Sequence, residues 1–209
     1  MTSVEASIPS LTIGGYFNES TGAVRKLLRG CRGTVDFDWK AGKPTRMNFS
    51  FKGLKDSVAD IALLTGVILE TTKGPLFANA ALTLGGYAAK IGSLTLDIAN
   101  KLTADEDASA ADGIRAFTIG DRDPAGAMNP RLVPVATEDF YGDWFSDTEK
   151  VLDFTLGAVA GNKFRFYMPK VQNDKVDDGD NNGLALAQIS YIINGAMEAG
   201  DDELTILAL

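Results

Sequence analysis

The stretch IGSLTLDIAN, Ile91–Asn100, decides the fold class. Leu94, Leu96 and Ile98 alternate in it with Thr95, Asp97 and Ala99. Apolar side chains repeating every second residue belong to a strand with one wet and one dry face. A gap rich in alanine and acid, TADEDASAADG, follows, and then a second alternating run, GIRAFTIGDR. The two runs are expected to pair antiparallel across that long exposed loop, and the pair leads on to the loop DRDP, Asp121–Pro124. Most of the chain repeats this grammar, and the class expected is all-β.

Working outward, the clearest hairpin is TVDFDWK, Thr34–Lys40, turned by AGKP and returning through Thr45–Lys52. Val35, Phe37 and Trp39 share one face, and Met47, Phe49 and Phe51 share the matching one. Both sets are expected in a single core. Upstream, residues 1–10 read as a polar, flexible arm. Leu11–Phe17, the NESTG turn and Ala23–Arg29 read as a strand, a turn, and a returning strand or helical turn. The pair of glycines in GCRG, Gly30–Gly33, marks a bend or bulge. Residues 53–78 are irregular and are expected to form a long loop excursion, a kind of segment that is usually functional. Asn79–Gly86 resumes the alternation through Leu82 and Leu84.

Downstream, Thr137–Thr148 reads as the one helix. Thr137 would be its N-cap, and Phe140, Trp144 and Phe145 would face the sheet. Val151–Val159 and Lys163–Met168 form a hairpin around AGN, and a polar loop is expected over Asn173–Gly183. Leu184–Ile193 is expected to be buried on both faces, and Leu204–Leu209 is a last strand. The chain therefore reads as an arm at 1–10 and a single domain over 11–209.

The 209 residues suffice for a substantial core, with roughly 70% of the unfolded chain's surface removable from water. Twenty Lys and Arg stand against 28 Asp and Glu, a formal charge of −8, which argues against gripping a phosphate backbone. A lone cysteine, Cys31, forbids an internal disulfide, and its type is most often a small buried residue. No run has the length of a membrane-spanning helix, and the first residues lack the pattern of a signal peptide, so a soluble chain made in a reducing cytoplasm is expected.

Enzyme chemistry finds little support. With no histidine and no G-x-S-x-G, a nucleophilic triad is excluded. One cysteine without histidine nearly excludes a zinc site, and the glycines match neither a P-loop nor a dinucleotide fingerprint. No pair of carboxylates is singled out for glycoside hydrolysis. No cofactor is expected. Asp178, Asp180 and Asn182, with Gly183, fit the first half of a calcium loop. The closing position is Ile189 and the flanks are strands, so an exposed hairpin loop is the favoured reading and a calcium site the weaker one.

Four stretches taken in order resemble one family. They are GCRGTVDFDWKAGKPTRMNFSFKG at Gly30–Gly53, PLFANAALTLGGYAAKIGSLTLDIAN at Pro75–Asn100, GIRAFTIGDRDPAG at Gly113–Gly126 and AGNKFRFYMPKVQ at Ala160–Gln172. Each is degenerate; their order resembles bacteriophage tail tube proteins, the major tail subunits of long-tailed phages. The resemblance implies two packed antiparallel sheets, a sandwich or flattened barrel with one flanking helix. It implies a structural subunit of the virion tail, made in the host cytoplasm, that forms rings of six stacked into a hollow tube. It further implies tape measure, terminator and distal tail proteins as partners, double-stranded DNA passing without specific binding, and no membrane. On that reading the lumen candidates are the outward polar positions Asp36, Asp38, Asn48, Ser50, Thr95, Asp97, Asp153 and Thr155, of which only one sheet's share can face the bore. The arm and the 53–78 excursion are candidates for ring-to-ring contacts. The alternative is a non-catalytic β-sandwich binding module for a carbohydrate or a receptor.

Overall fold

The computed structural model describes residues 8–19, 22–62, 65–66, 68–196 and 202–209. The elements run β1 (Leu11–Glu19), β2 (Gly22–Lys40), β3 (Arg46–Ile61), β4 (Thr83–Leu84), β5 (Ile91–Asp97), β6 (Asn100–Glu106), β7 (Ile114–Arg122) and β8 (Ala125–Pro130). They continue with α1 (Phe140–Phe145), β9 (Glu149–Leu156), β10 (Phe164–Asn181), β11 (Leu184–Ile193) and β12 (Thr205–Ala208). The protein is mainly β with one short helix, as the alternating patterns require.

Ten strands form one antiparallel sheet in the order β1-β2-β5-β8-β11-β10-β9-β4, with β3 on the other side of β2 and β12 beside β10. The sheet closes over itself. β2 and β10 are distant in the ladder, yet the Trp39 ring meets Phe166 at 5.1 Å and Phe154 at 5.2 Å, both edge to face. Phe37 stacks on Trp39 at 5.1 Å, and Phe154 on Phe166 at the same distance. One wall is β3-β2-β5-β8-β11 and the opposite wall is β9 with the first half of β10; the aromatics fill the space between. Offset and edge-to-face rings add about 0.5–1.5 kcal/mol per pair beyond their buried area. The flattened-barrel expectation is met by one continuous sheet, together with a separate two-stranded sheet, β6-β7.

Several boundaries differ from the expectation, each for a local reason. Strand β7 pairs with β6, not with the 91–97 run. The Asp97 carboxylate accepts from the Ala99 N–H at 2.7 Å, and Ala99 takes a φ of 53°. Asn100 then donates to the Gly33 carbonyl at 3.0 Å, which turns the chain out of the large sheet. The first four residues of the expected acidic gap, Thr103–Glu106, are therefore strand, and the connection to β7 is correspondingly shorter. The 53–78 excursion begins later, because 53–61 continue β3 against β2. Asn173–Asn181 is likewise strand rather than loop. Asn182 and Gly183, with φ of 53° and 86°, make the two-residue turn into β11.

The helix is only six residues long. Its cap is Asp139 rather than Thr137, with the Asp139 carboxylate accepting from the Gly142 N–H at 2.8 Å. Phe140 is buried, but Phe145 is 76% exposed and does not pack on the sheet. Strand β11 buries alternate residues, Ala187, Ile189, Tyr191 and Ile193, so it has one dry face and not two. The GCRG bend is confirmed: Gly30 has a φ of 59°, and the β2–β3 register shifts between Arg29 and Arg32. The arm at 1–10 lies outside the described residues up to residue 7. The NESTG turn lies partly outside them, at 20–21.

Candidate functional site

Register gathers six of the eight expected polar positions on one surface. Asp36 stands opposite Asn48 on β3 and Asp97 on β5; Asp38 stands opposite Thr95; and Ser50 stands opposite Thr34. Each is two residues from a neighbour on the same side, so Asp36, Asp38, Asn48, Ser50, Thr95 and Asp97 share the outward face of the β3-β2-β5-β8-β11 wall. Ala127, Gln188 and Ser190 extend that face across β8 and β11. Asp153 and Thr155 are elsewhere, on β9 in the opposite wall. Asp153 there takes a two-pronged ion pair from Arg165, at 2.9 and 2.5 Å.

The wall is polar but not uniformly acidic. Arg46 stands opposite Asp38, and the Lys40 ammonium lies 3.1 Å from the Asp38 carboxylate. Asn48 donates to Asp36 at 2.6 Å. Sequence patterning identified the aspartates but could not reveal that the cations interleave with them across strands.

The wall is held to the core from behind. Gly126 on β8 sits opposite Leu96 on β5 and Tyr191 on β11. The buried Tyr191 hydroxyl donates to the Thr95 carbonyl at 2.7 Å, and burial pushes that phenol far above its ordinary value. Asn129 accepts from the Gly92 and Ser93 N–H groups at 2.9 and 2.6 Å, closing the bulge where β5 joins β8. At the far side, α1 is pinned over β9 and β10. Burial lowers the affinity of Lys150 for its proton, but ion pairs to Asp143 and Glu138 more than offset this and hold it above its ordinary range.

The inward face of β3 departs from expectation. The register of the hairpin is as predicted, Phe37 against Met47 and Val35 against Phe49. Yet Met47, Phe49 and Phe51 are 47%, 58% and 39% exposed. β3 is the terminal strand of its side of the sheet, and its apolar row lies in an open groove with Ile119 of β7 and Leu11 of β1 instead of in the aromatic core. The Phe49 and Phe51 rings stack on each other, with centroids 6.1 Å apart.

Asp178 accepts a hydrogen bond from the Tyr141 hydroxyl, and Asp180 accepts from the Gly183 N–H at 3.1 Å. The two carboxylates proposed for calcium are thus engaged by the protein's own donors. Among the described residues there is no cluster of three or more potential metal ligands.

The family model for phage tail tube protein matches residues 2–193. The chain belongs to the phage tail tube protein family. Tail tube proteins are structural, non-catalytic virion components, which places this one in the tail. A comparison with curated proteins finds no match. No helix among the described residues of this tail tube protein is long and apolar enough to cross a membrane.

Proposed function

We propose that this tail tube protein assembles into rings of six that stack into a hollow cylinder, and that the outward face of the β3-β2-β5-β8-β11 wall lines the bore. The observation that carries this reading is a single wall with one continuous polar face whose terminal strand, β3, pairs among the described residues only with β2. A free strand edge is a liability in a monomer and is satisfied in a closed ring. Asp36, Asp38, Asn48, Ser50, Thr95 and Asp97 are the lumen residues of this proposal. Asp153 and Thr155 belong to the outer surface, since one face alone can line a bore.

The bore tolerates double-stranded DNA because aspartates are interleaved with its cations. A phosphate backbone is held by Lys and Arg that release its counterions on contact. Lys40 already lies against Asp38, and Arg46 stands opposite the same residue, so both cations face an aspartate across the wall. DNA then slides without being gripped. The arm at 1–10 and the segment beyond Ile61 make the ring-to-ring contacts, and the open tube ends meet the tape measure, terminator and distal tail proteins. The binding-module alternative finds no comparable support once the family is established.

Two measurements test this. Negative-stain microscopy of concentrated protein should give rings or hollow cylinders; discrete single particles under every condition would overturn the proposal. In assembled tubes, Ser50→Cys should be shielded from a bulky polyethylene-glycol maleimide while Thr155→Cys reacts. Equal reactivity would remove the wall from the bore.

A further inference from the structure

Strand β1 cannot be continued backwards along β2. Leu11 stands opposite Cys31, so Pro9 would come opposite Gly33. The Gly33 carbonyl is already taken by the Asn100 side chain at 3.0 Å, and proline has no N–H to offer a ladder. At the next position the Thr34 hydroxyl accepts from the Asn100 N–H at 3.2 Å. The chain therefore stands off the ladder at Pro9. Arg32 donates to the Ile8 carbonyl and fixes that point against β2.

The fixed point opens into an apolar groove of about 300 Å³. Ile8 and Leu11 line it, with Val35, Phe49 and Phe51 of the β2–β3 hairpin and Ile119 of β7. Register gives its direction. Arg32 stands opposite Lys52, Gly33 opposite Phe51, Val35 opposite Phe49 and Phe37 opposite Met47. The exposed row thus runs onward from the place where Ile8 is held. The chain before that place reads MTSVEAS. Val4, Ala6 and Ile8 alternate there with Ser3, Glu5 and Ser7, the pattern of an extended segment with one apolar side. Fully extended, residues 1–7 reach about 23 Å, whereas Phe51 to Met47 is about 14 Å along its strand.

We infer that in the free subunit residues 1–7 occupy this groove of their own chain, with the Val4 and Ala6 side on the Phe49–Phe51 row and the Ser3, Glu5 and Ser7 side in water. The segment is tethered at the groove through Ile8, so its docking is intramolecular and proceeds at a high effective concentration; modest contacts suffice. Two stacked phenylalanine rings give a flat apolar floor, and small side chains such as valine and alanine can lie along it. The seat removes an exposed apolar row from contact with unrelated surfaces while the subunit is alone. The ring-to-ring role proposed above for the arm then requires it to leave the groove on assembly, so one segment caps the monomer and joins the tube. Only that second step rests on the self-assembly reading; the groove seat is a property of the single chain.

A nitroxide attached at Glu5→Cys, on the polar side of the segment, tests this; the buried Cys31 stays unlabelled. In dilute, isotope-labelled full-length protein the amide signals of Phe49, Phe51 and Ile119 should broaden. Those of Asp153 and Thr155, in the opposite wall, should stay sharp. Adding Val4→Asp and Ala6→Asp puts carboxylates against the phenylalanines and should abolish the broadening. Without the nitroxide, the same two substitutions should raise the fluorescence of added anilinonaphthalene sulfonate, because the row is uncovered. Unchanged amide positions in the opposite wall show that each variant is folded. Broadening that is absent, or spread evenly over the surface, would overturn the seat. Broadening that appears only when spin-labelled protein is mixed with isotope-labelled wild type would put a second copy's arm in the groove and overturn it equally. A protein that never forms rings or tubes would remove the self-assembly reading and leave this result standing.

Discussion

Gly126→Ala is expected to destabilise the subunit far more than its size suggests. A Cβ built at Gly126 would lie 2.1 Å from the Thr95 carbonyl oxygen and 2.5 Å from the Tyr191 hydroxyl. One of these is backbone of the neighbouring strand and the other is a fully buried ring, so neither yields cheaply. Overpacking a dense core costs about 1–3 kcal/mol. Moving the Tyr191 ring also breaks its 2.7 Å bond to the Thr95 carbonyl, and losing a buried hydrogen bond adds about 1–3 kcal/mol. The sum is about 2–6 kcal/mol. Tyr191→Phe alone should cost about 1 kcal/mol, the net worth of one hydrogen bond. In the double variant that bond is already broken by the methyl group introduced at position 126, so the second substitution should add almost nothing. The coupling, about 1 kcal/mol, is measurable by urea denaturation of all four species as monomers. Strict additivity, or Gly126→Ala with the stability of the wild type, would refute this account of how the polar wall is fastened to the core.

Four other outcomes are expected. Trp39→Ala or Phe154→Ala should cost about 3–5 kcal/mol in the same assay, since both rings are fully buried in the cluster joining the two walls. Cys31 is 1% exposed, so its thiol should resist a disulfide reagent in the native protein and react at a rate set by opening. Stability should fall as pH rises above about 10. The unfolded chain releases the tyrosine proton near 10.0 and the lysine proton near 10.5, whereas the native state holds both: burial raises Tyr191, and Asp143 and Glu138 raise Lys150 against its own burial. Both contributions are complete below those values and are lost above them; a flat unfolding midpoint from pH 8 to 11.5 would contradict this. Gly183→Ala forces a methyl-bearing residue to a φ of 86° in the β10–β11 turn and should cost about 1 kcal/mol, read as a lowered thermal midpoint.

The class of the fold was legible in the residues because strand alternation is a local property. Leu94 and Leu96, Phe37 and Trp39, and Phe154 and Phe166 each announce a dry face within a few positions, and all are buried. Turn chemistry was legible for the same reason: AGKP, AGN and the Gly30 bulge stand where backbone sterics require them. The helix was overextended because its aromatic spacing resembles a packed face, whereas the chain leaves the helix after Phe145 and that ring stays in water.

Pairing partners and the fate of a dry face depend on what lies across space, and no local pattern carries that. The 91–97 run was matched with the wrong strand because Asp97, Ala99 and Asn100 redirect the chain through bonds to β2 some 66 residues away. The Phe49 row has the same period as the Phe37 row opposite it, yet one is exposed and the other is core. The difference is position in the sheet, since an apolar face is buried only where another layer stands over it. By itself the sequence determined that this chain makes pleated strands with one polar and one apolar side. Only the tertiary structure decided which polar sides join into one wall, and which apolar rows lie outside the core.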